Sequence, residues 1–173
     1  ERELTVLQQL ALFQNRAGRA EQALETVERA RTLCESDPQL ARQFLYTVIY
    51  LQGITSLRLG ENENCIMCRG ESSCTLPISE QARHTKPRGS RLAASFFGEY
   101  LARFPDDLEV KWLRTIALMT LGEDTGQTDP HGLVSIDRLT SAEFDVGRFR
   151  DIGHLVGVNR LNQGGGAIMD DFN

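Results

Sequence analysis

On either side of residues 62–90, which carry no sustained hydrophobic period, apolar side chains up to Leu121 return every three to four positions, in stretches that stop at a glycine or just before a proline. That period commits the chain to amphipathic helices joined in pairs. Leu4, Leu7 and Ala11 recur at i, i+3 and i+7, with Leu10 and Phe13 widening the stripe, until Gly18 breaks it. Ala23, Leu24, Val27, Ala30 and Leu33 form a second face that ends before Asp37-Pro38. A tight glycine turn between two such helices makes an αα-hairpin. A third helix is expected from about Gln39 to Leu59, carrying Phe44, Leu45, Val48, Ile49 and Leu57, with Gly60 as its end. Helix resumes near Ser90, whose hydroxyl suits an N-cap, and runs through Ala93, Ala94, Phe96, Phe97, Tyr100 and Leu101 to Phe104-Pro105. A fifth, from about Asp106 to Leu121, carries Leu108, Trp112, Ile116 and Met119 and closes at Gly122.

Composition narrows the partners. With 40% hydrophobic and 25% charged residues among 173, the chain is ordinary for a globular domain. A formal charge of −5 gives no electrostatic reason to expect nucleic acid or an anionic membrane. The longest apolar run, Phe44 to Leu51, is interrupted by Thr47 and falls far short of the ~18 residues of a membrane span. The chain opens at Glu1 inside a helical pattern, without an initiator Met or a signal peptide, so it is expected to be a processed or trimmed piece of a longer protein.

The helix pairs resemble the tetratricopeptide repeat, a 34-residue helix–turn–helix with small residues at the helix crossing and Pro at its end. In a first repeat Gly18 takes the turn, Ala23 and Ala30 the small positions of the second helix, and Leu10-Ala11 the Leu-Gly pair. In a second, Gly53 and Gly60 take the small position and the turn, and Ala93 to Leu101 with Pro105 form the second helix. Tyr100 stands where that family carries a small residue, which implies altered packing there. Pro105 to Gly122 spans the 17 residues that a third first-helix demands. The resemblance implies an all-α, tetratricopeptide-like αα-hairpin solenoid. It also locates an insertion: Gly18 and Ala23 are five residues apart, whereas Gly60 and Ala93 are 33 apart, 28 more than the repeat needs. Residues 62–90, rich in cysteine, are read as this insertion; loop closure tolerates it because its cost rises by only about 0.6 kcal/mol per doubling of length.

After Gly122 the period stops. Residues 123–132 read as a linker and the remainder to Asn173 as an irregular tail, giving an expected division into 1–122 and 123–173. Phe149-Arg-Asp-Ile152 and then Gly164-Gly-Gly-Ala-Ile-Met-Asp170-Asp171-Phe-Asn173 resemble the opening of an FG-GAP/VCBS β-propeller in exported proteins with an ASPIC/UnbV domain. Members of that cartilage acidic protein-like family also carry Asn-Cys-x-x-Cys…Ser-Cys-x-x-Pro in a helical region, matched here by Asn64-Cys65, Cys68 and Ser73-Cys74-Thr-Leu-Pro77. Trp112…Met119-Thr-Leu-Gly-Glu123 matches too. The resemblance implies export, a larger assembly, and calcium at Asp170 and Asp171 as the first ligands of a propeller loop.

Chemistry concentrates in the 62–90 stretch. Cys65, Cys68, Cys74 and His84 have the residue types of a tetrahedral structural zinc site. A c-type haem needs Cys-x-x-Cys-His, and Arg69 stands at the His position, so His84 would have to fold back as the ligand. A disulfide among Cys65, Cys68 and Cys74, joining Cys65 or Cys68 to Cys74, is preferred over zinc, with haem last; spacing does not separate the first two. A bridge within Cys65-x-x-Cys68 would instead suit redox exchange. Cys34 reads as a buried thiol. Arg83, Lys86, Arg88 and Arg91 form a basic cluster, by default a solvated face and otherwise a dock for an acidic partner. Phe96, Phe97, Tyr100 and Phe104 are helix-spaced and read as repeat core rather than a ligand cage. His84, His131 and His154 make no i, i+4 metal pair, Gly164 to Gly166 open no nucleotide-binding turn, and no hydrolase or nucleotide motif occurs. The expected function is a non-catalytic protein-interaction module; the alternative is a redox, metal or haem module centred on the cysteines.

Overall fold

The structure, a computed structural model, describes residues 1–65, 76–123, 134, 152 and 155–157. Among them the chain is all-α, with no strand: α1 (Arg2–Arg16), α2 (Ala20–Ser36), α3 (Pro38–Asn64), α4 (Arg88–Arg103) and α5 (Leu108–Leu121), plus one 3₁₀ turn at Glu80–Ala82. Local chemistry sets most of the boundaries. Gly18 takes φ +73° between α1 and α2, where a β-carbon would be strained. Asp37 accepts from the Gln39 and Leu40 amides and Pro38 occupies the first turn, so α3 starts with its orphan donors satisfied. Asp107 caps α5 through the Val110 amide, and Gly122 at φ +71° ends it.

Each helix packs chiefly on the next: α1 on α2, α2 on α3, α3 on α4 and α4 on α5, with α1 also reaching α3. Leu4, Leu7, Ala11, Ala23, Val27, Ala30, Cys34 and Val48 make one buried cluster; Ala93, Phe97, Leu101, Val110 and Ala117 anchor a second. Between them the buried face of α3 turns polar at Gln52, Thr55 and Ser56. Gln52 and Thr55 are tied across helices, while Ser56 Oγ is buried with no hydrogen-bond partner among the described residues. Asn15 Nδ2 donates to Thr55 Oγ1 at 2.9 Å. Gln52 accepts from Arg31 Nη1 and donates to Glu28, while Arg31 also forks onto Glu99 at 2.9 and 2.7 Å. Thus α2, α3 and α4 share one hydrogen-bonded node.

Several expectations are corrected. Leu10 and Phe13 do not widen the core stripe; they face outward, as does Leu108 on α5. Gly60 does not end α3, which runs on to Asn64. Ser90 is not an N-cap: α4 begins at Arg88 after Pro87, and Ser90 is fully buried in its first turn. One close approach explains both. A β-carbon on Gly89 would lie 2.3 Å from Gly60 N and 2.6 Å from Gly60 Cα, so the two backbones cross with no side chain between them. Gly60 therefore serves α4 as a seat while remaining helical, and helix continuation places Cys65 at the end of α3. The same logic puts Gly53 under the Phe97 ring.

Candidate functional site

The crossing of α3 on α4 carries the segment that returns toward α4 onto the end of α3. Asn64, in the last turn of α3, binds that return like a peptide group: its Nδ2 donates to the Lys86 carbonyl at 3.0 Å and its Oδ1 accepts from the Lys86 amide at 2.9 Å. His84 is fixed three ways. Its backbone amide donates to the Thr120 carbonyl at 2.8 Å, its Nδ1 lies 2.8 Å from Ser90 Oγ, and its Nε2 lies 3.6 Å from Cys65 Sγ. Ser90 Oγ in turn bonds Thr120 Oγ1 at 2.7 Å inside the core. Residues of α3, α4, α5 and the intervening segment thereby converge on one imidazole.

Burial pushes the His84 pKa below its ordinary value, with Glu61 and Glu63 acting in the opposite sense. The ring is thus held toward its neutral form. Cys65 is at the C-cap of α3, the electronegative end of the helix, where a thiolate gains no help from the dipole. Cys65 and His84 together line a cavity of about 450 Å³, with Leu57, Leu76, Ile78, Ile116 and Thr120 on its walls. The arrangement presents a sulfur and an imidazole nitrogen side by side in the wall of a largely apolar cleft that Arg58 and Glu61 also line.

Of the expected ligand set, Cys65 and His84 are brought together, across 19 residues of sequence. Cys68 and Cys74 lie outside the described residues, as do His131, His154, Asp170 and Asp171, so the propeller start and the bridges to Cys74 fall there too. Among the described residues there is no disulfide, and no group of three or more His, Cys, Asp or Glu side chains gathers to hold a metal ion. Cys34 is a buried free thiol, and burial raises its pKa. The basic cluster is largely spent within the chain: Arg88 pairs with Glu21, Arg91 with Glu123 at 3.2 Å and Arg83 with Glu80 at 3.9 Å.

A second surface was missed in the sequence. Tyr46 and Tyr50 of α3 meet Tyr100 of α4 and Phe104 at its C-cap, with Tyr46–Phe104 and Tyr100–Phe104 ring centroids 5.1 and 5.0 Å apart. Phe97 is core, but Phe104 is 41% exposed, and Tyr100, where the repeat resemblance has a small residue, spreads into this aromatic cluster. Tyr50 Oη donates to Glu109 at 2.7 Å and Tyr100 Oη to Asp107 at 3.2 Å, which fixes the rings at the rim of a groove. Tyr46 and Tyr50 sit one helical turn apart, and that i, i+4 spacing was the available signal. No helix among the described residues is long and apolar enough to cross a membrane. No protein-family model, curated protein or solved structure matches the chain.

Proposed function

We propose that the chain is a non-catalytic protein-interaction scaffold: a tetratricopeptide-like solenoid, part of a larger exported protein, that displays the stretch between α3 and α4, the part of 62–90 outside those helices, as an insertion on a rigid helical frame. The carrying observation is the packing order, in which each helix rests mainly on its neighbour in sequence and α1 reaches α3, as stacked αα-hairpins require. Such stacking leaves long open surfaces. The groove rimmed by Tyr46, Tyr50, Tyr100 and Phe104 is the surface best suited to a partner, because anchored aromatic rings offer large contact area at low conformational cost. The clamps at Asn64 and His84 support the display role, since they fix both stems from which the cysteine stretch departs. On the family resemblance, the tail from 123 leads into a calcium-binding propeller.

The test is co-purification from the native source of the full-length protein containing this chain. A stoichiometric protein partner that is lost on Tyr46→Ala/Phe104→Ala, with the circular dichroism spectrum unchanged, supports the reading. A monodisperse protein that captures no partner overturns it.

A further inference from the structure

We propose that Cys65 and His84 are two ligands of a zinc-class divalent cation, bound at the wall of the cavity at the end of α3. This goes beyond the scaffold reading and does not depend on it. The first argument is geometric. Ligands at ~2.3 Å (thiolate) and ~2.1 Å (imidazole) around a tetrahedral centre stand about 3.6 Å from one another. Cys65 Sγ and His84 Nε2 are 3.6 Å apart. The second is the mounting of the ring. A ligating histidine commonly uses its other nitrogen to hold an outer-shell partner that sets its orientation. Here Nδ1 is engaged by Ser90 Oγ at 2.8 Å, and Ser90 is itself fully buried and tied to Thr120.

The third argument is the electrostatic setting, which separates a cation site from a reactive thiol. A nucleophilic cysteine is favoured by a helix N-terminus or a neighbouring cation. Cys65 has the reverse: it caps a helix C-terminus, and Glu61 and Glu63 bear on the imidazole beside it. Glu61, paired with Arg58, lines the same cavity, and a metal ion's charge would compensate both the thiolate and the helix end. Binding forms the sulfur–metal bond with release of the thiol proton to solvent. The two residues supply one edge of the coordination sphere, and its other positions open onto the cavity shared with Leu76, Ile78 and Thr120.

Cobalt(II), added to the reduced full-length chain, is the probe. A Cys68→Ser/Cys74→Ser background isolates the Cys65–His84 edge. The expected result is a near-ultraviolet sulfur-to-cobalt band with the intense visible bands of a tetrahedral site, displaced by zinc. Both bands should vanish in Cys65→Ser, and cobalt affinity should fall at least ~10-fold in His84→Gln. Ser90→Ala should weaken binding ~10-fold, with recovery in Ser90→Thr, which marks Ser90 as a positioning residue. Circular dichroism checks that each variant is folded. Absence of the bands in that background, or bands unchanged by His84→Gln, overturns the proposal. So does peptide mapping that finds Cys65 in a disulfide in protein isolated without reductant.

Discussion

The Gly60–Gly89 crossing makes a stability prediction whose sign differs at glycines that local propensity would treat alike. Replacing a helical glycine by alanine gains up to ~1 kcal/mol from backbone entropy when the new methyl has room. At Gly89 it has none: the β-carbon would sit 2.3 Å from Gly60 N, 2.6 Å from Gly60 Cα and 2.8 Å from the Ser56 carbonyl oxygen. Every obstacle is backbone, so no rotamer change relieves it, and α4 must back away from α3. Overpacking of this kind costs ~1–3 kcal/mol, and the displacement also loosens Phe97 and Ser90, which are fully buried in the same interface. Gly89→Ala should therefore destabilise by ~2–3 kcal/mol, lowering Tm by ~5–10 °C. Gly98 is the control. The atoms nearest its β-carbon would be those of the Arg114 side chain, Nε at 3.4 Å and Cζ and Nη2 at 3.9 Å, all in ordinary van der Waals contact, so Gly98→Ala should be neutral or stabilise by up to ~1 kcal/mol. Gly60→Ala tests the asymmetry of the crossing, since from that side the nearest atoms are His84 Cε1, His84 Nδ1 and Ser90 N, all at 3.4 Å, and the change should lie near neutral. Urea and thermal unfolding followed by circular dichroism measure all three. A Gly89→Ala protein as stable as the parent, or one no worse than Gly98→Ala, would refute the reasoning.

Two further predictions concern charge. Arg31 and Glu99 form a bidentate pair that joins α2 to α4, and the hydrogen bond to Glu99 is the chief reason the Arg31 pKa is raised. Because Glu99 is 42% exposed, screening limits their coupling, and a double-mutant cycle of Arg31→Ala and Glu99→Ala should return ~0.5–1 kcal/mol, shrinking in high salt; zero coupling at low salt would contradict the shared node. Tyr50 is pushed up to about 12 by burial first and by its hydrogen bond to Glu109 second. The folded state keeps the phenol proton where the unfolded chain, titrating near 10, has lost it, so stability should be whole below pH ~10 and decline as pH rises toward ~12. Tyr100 is raised too, by burial first and by its hydrogen bond to Asp107 second, so ultraviolet titration should show two late tyrosines, with Tyr50 moving earlier in Glu109→Gln; an unchanged titration curve in that variant would count against the contact.

Much of this fold was written locally. Leu4, Leu7 and Ala11 gave α1, Ala23, Val27 and Ala30 gave α2, and all six are buried where the period put them. The turn at Gly18 and the end of α5 at Gly122 followed from positive φ, and the start of α3 from Asp37-Pro38, because such signals act over one turn of chain. The candidate site was legible only as a set of residue types: Cys65 and His84 were singled out, while the Asn64 clamp and the Ser90–Thr120 support were not. Those partners sit 22 and 30 residues apart, and no local period encodes such pairings.

By itself, then, the sequence determined the helices, their order and most of their ends, since these depend on hydrophobic spacing and on backbone preferences within a few residues. Tertiary structure decided what the ambiguous small residues do. Gly60 and Ser90 read locally as a stop and a cap, but α3 and α4 cross where Gly60 and Gly89 allow backbone contact, and burial of that crossing outweighs the local preference to break. That one contact extends α3 to Cys65 and buries Ser90 behind His84, so the sulfur and the imidazole meet because two helices could approach without side chains between them.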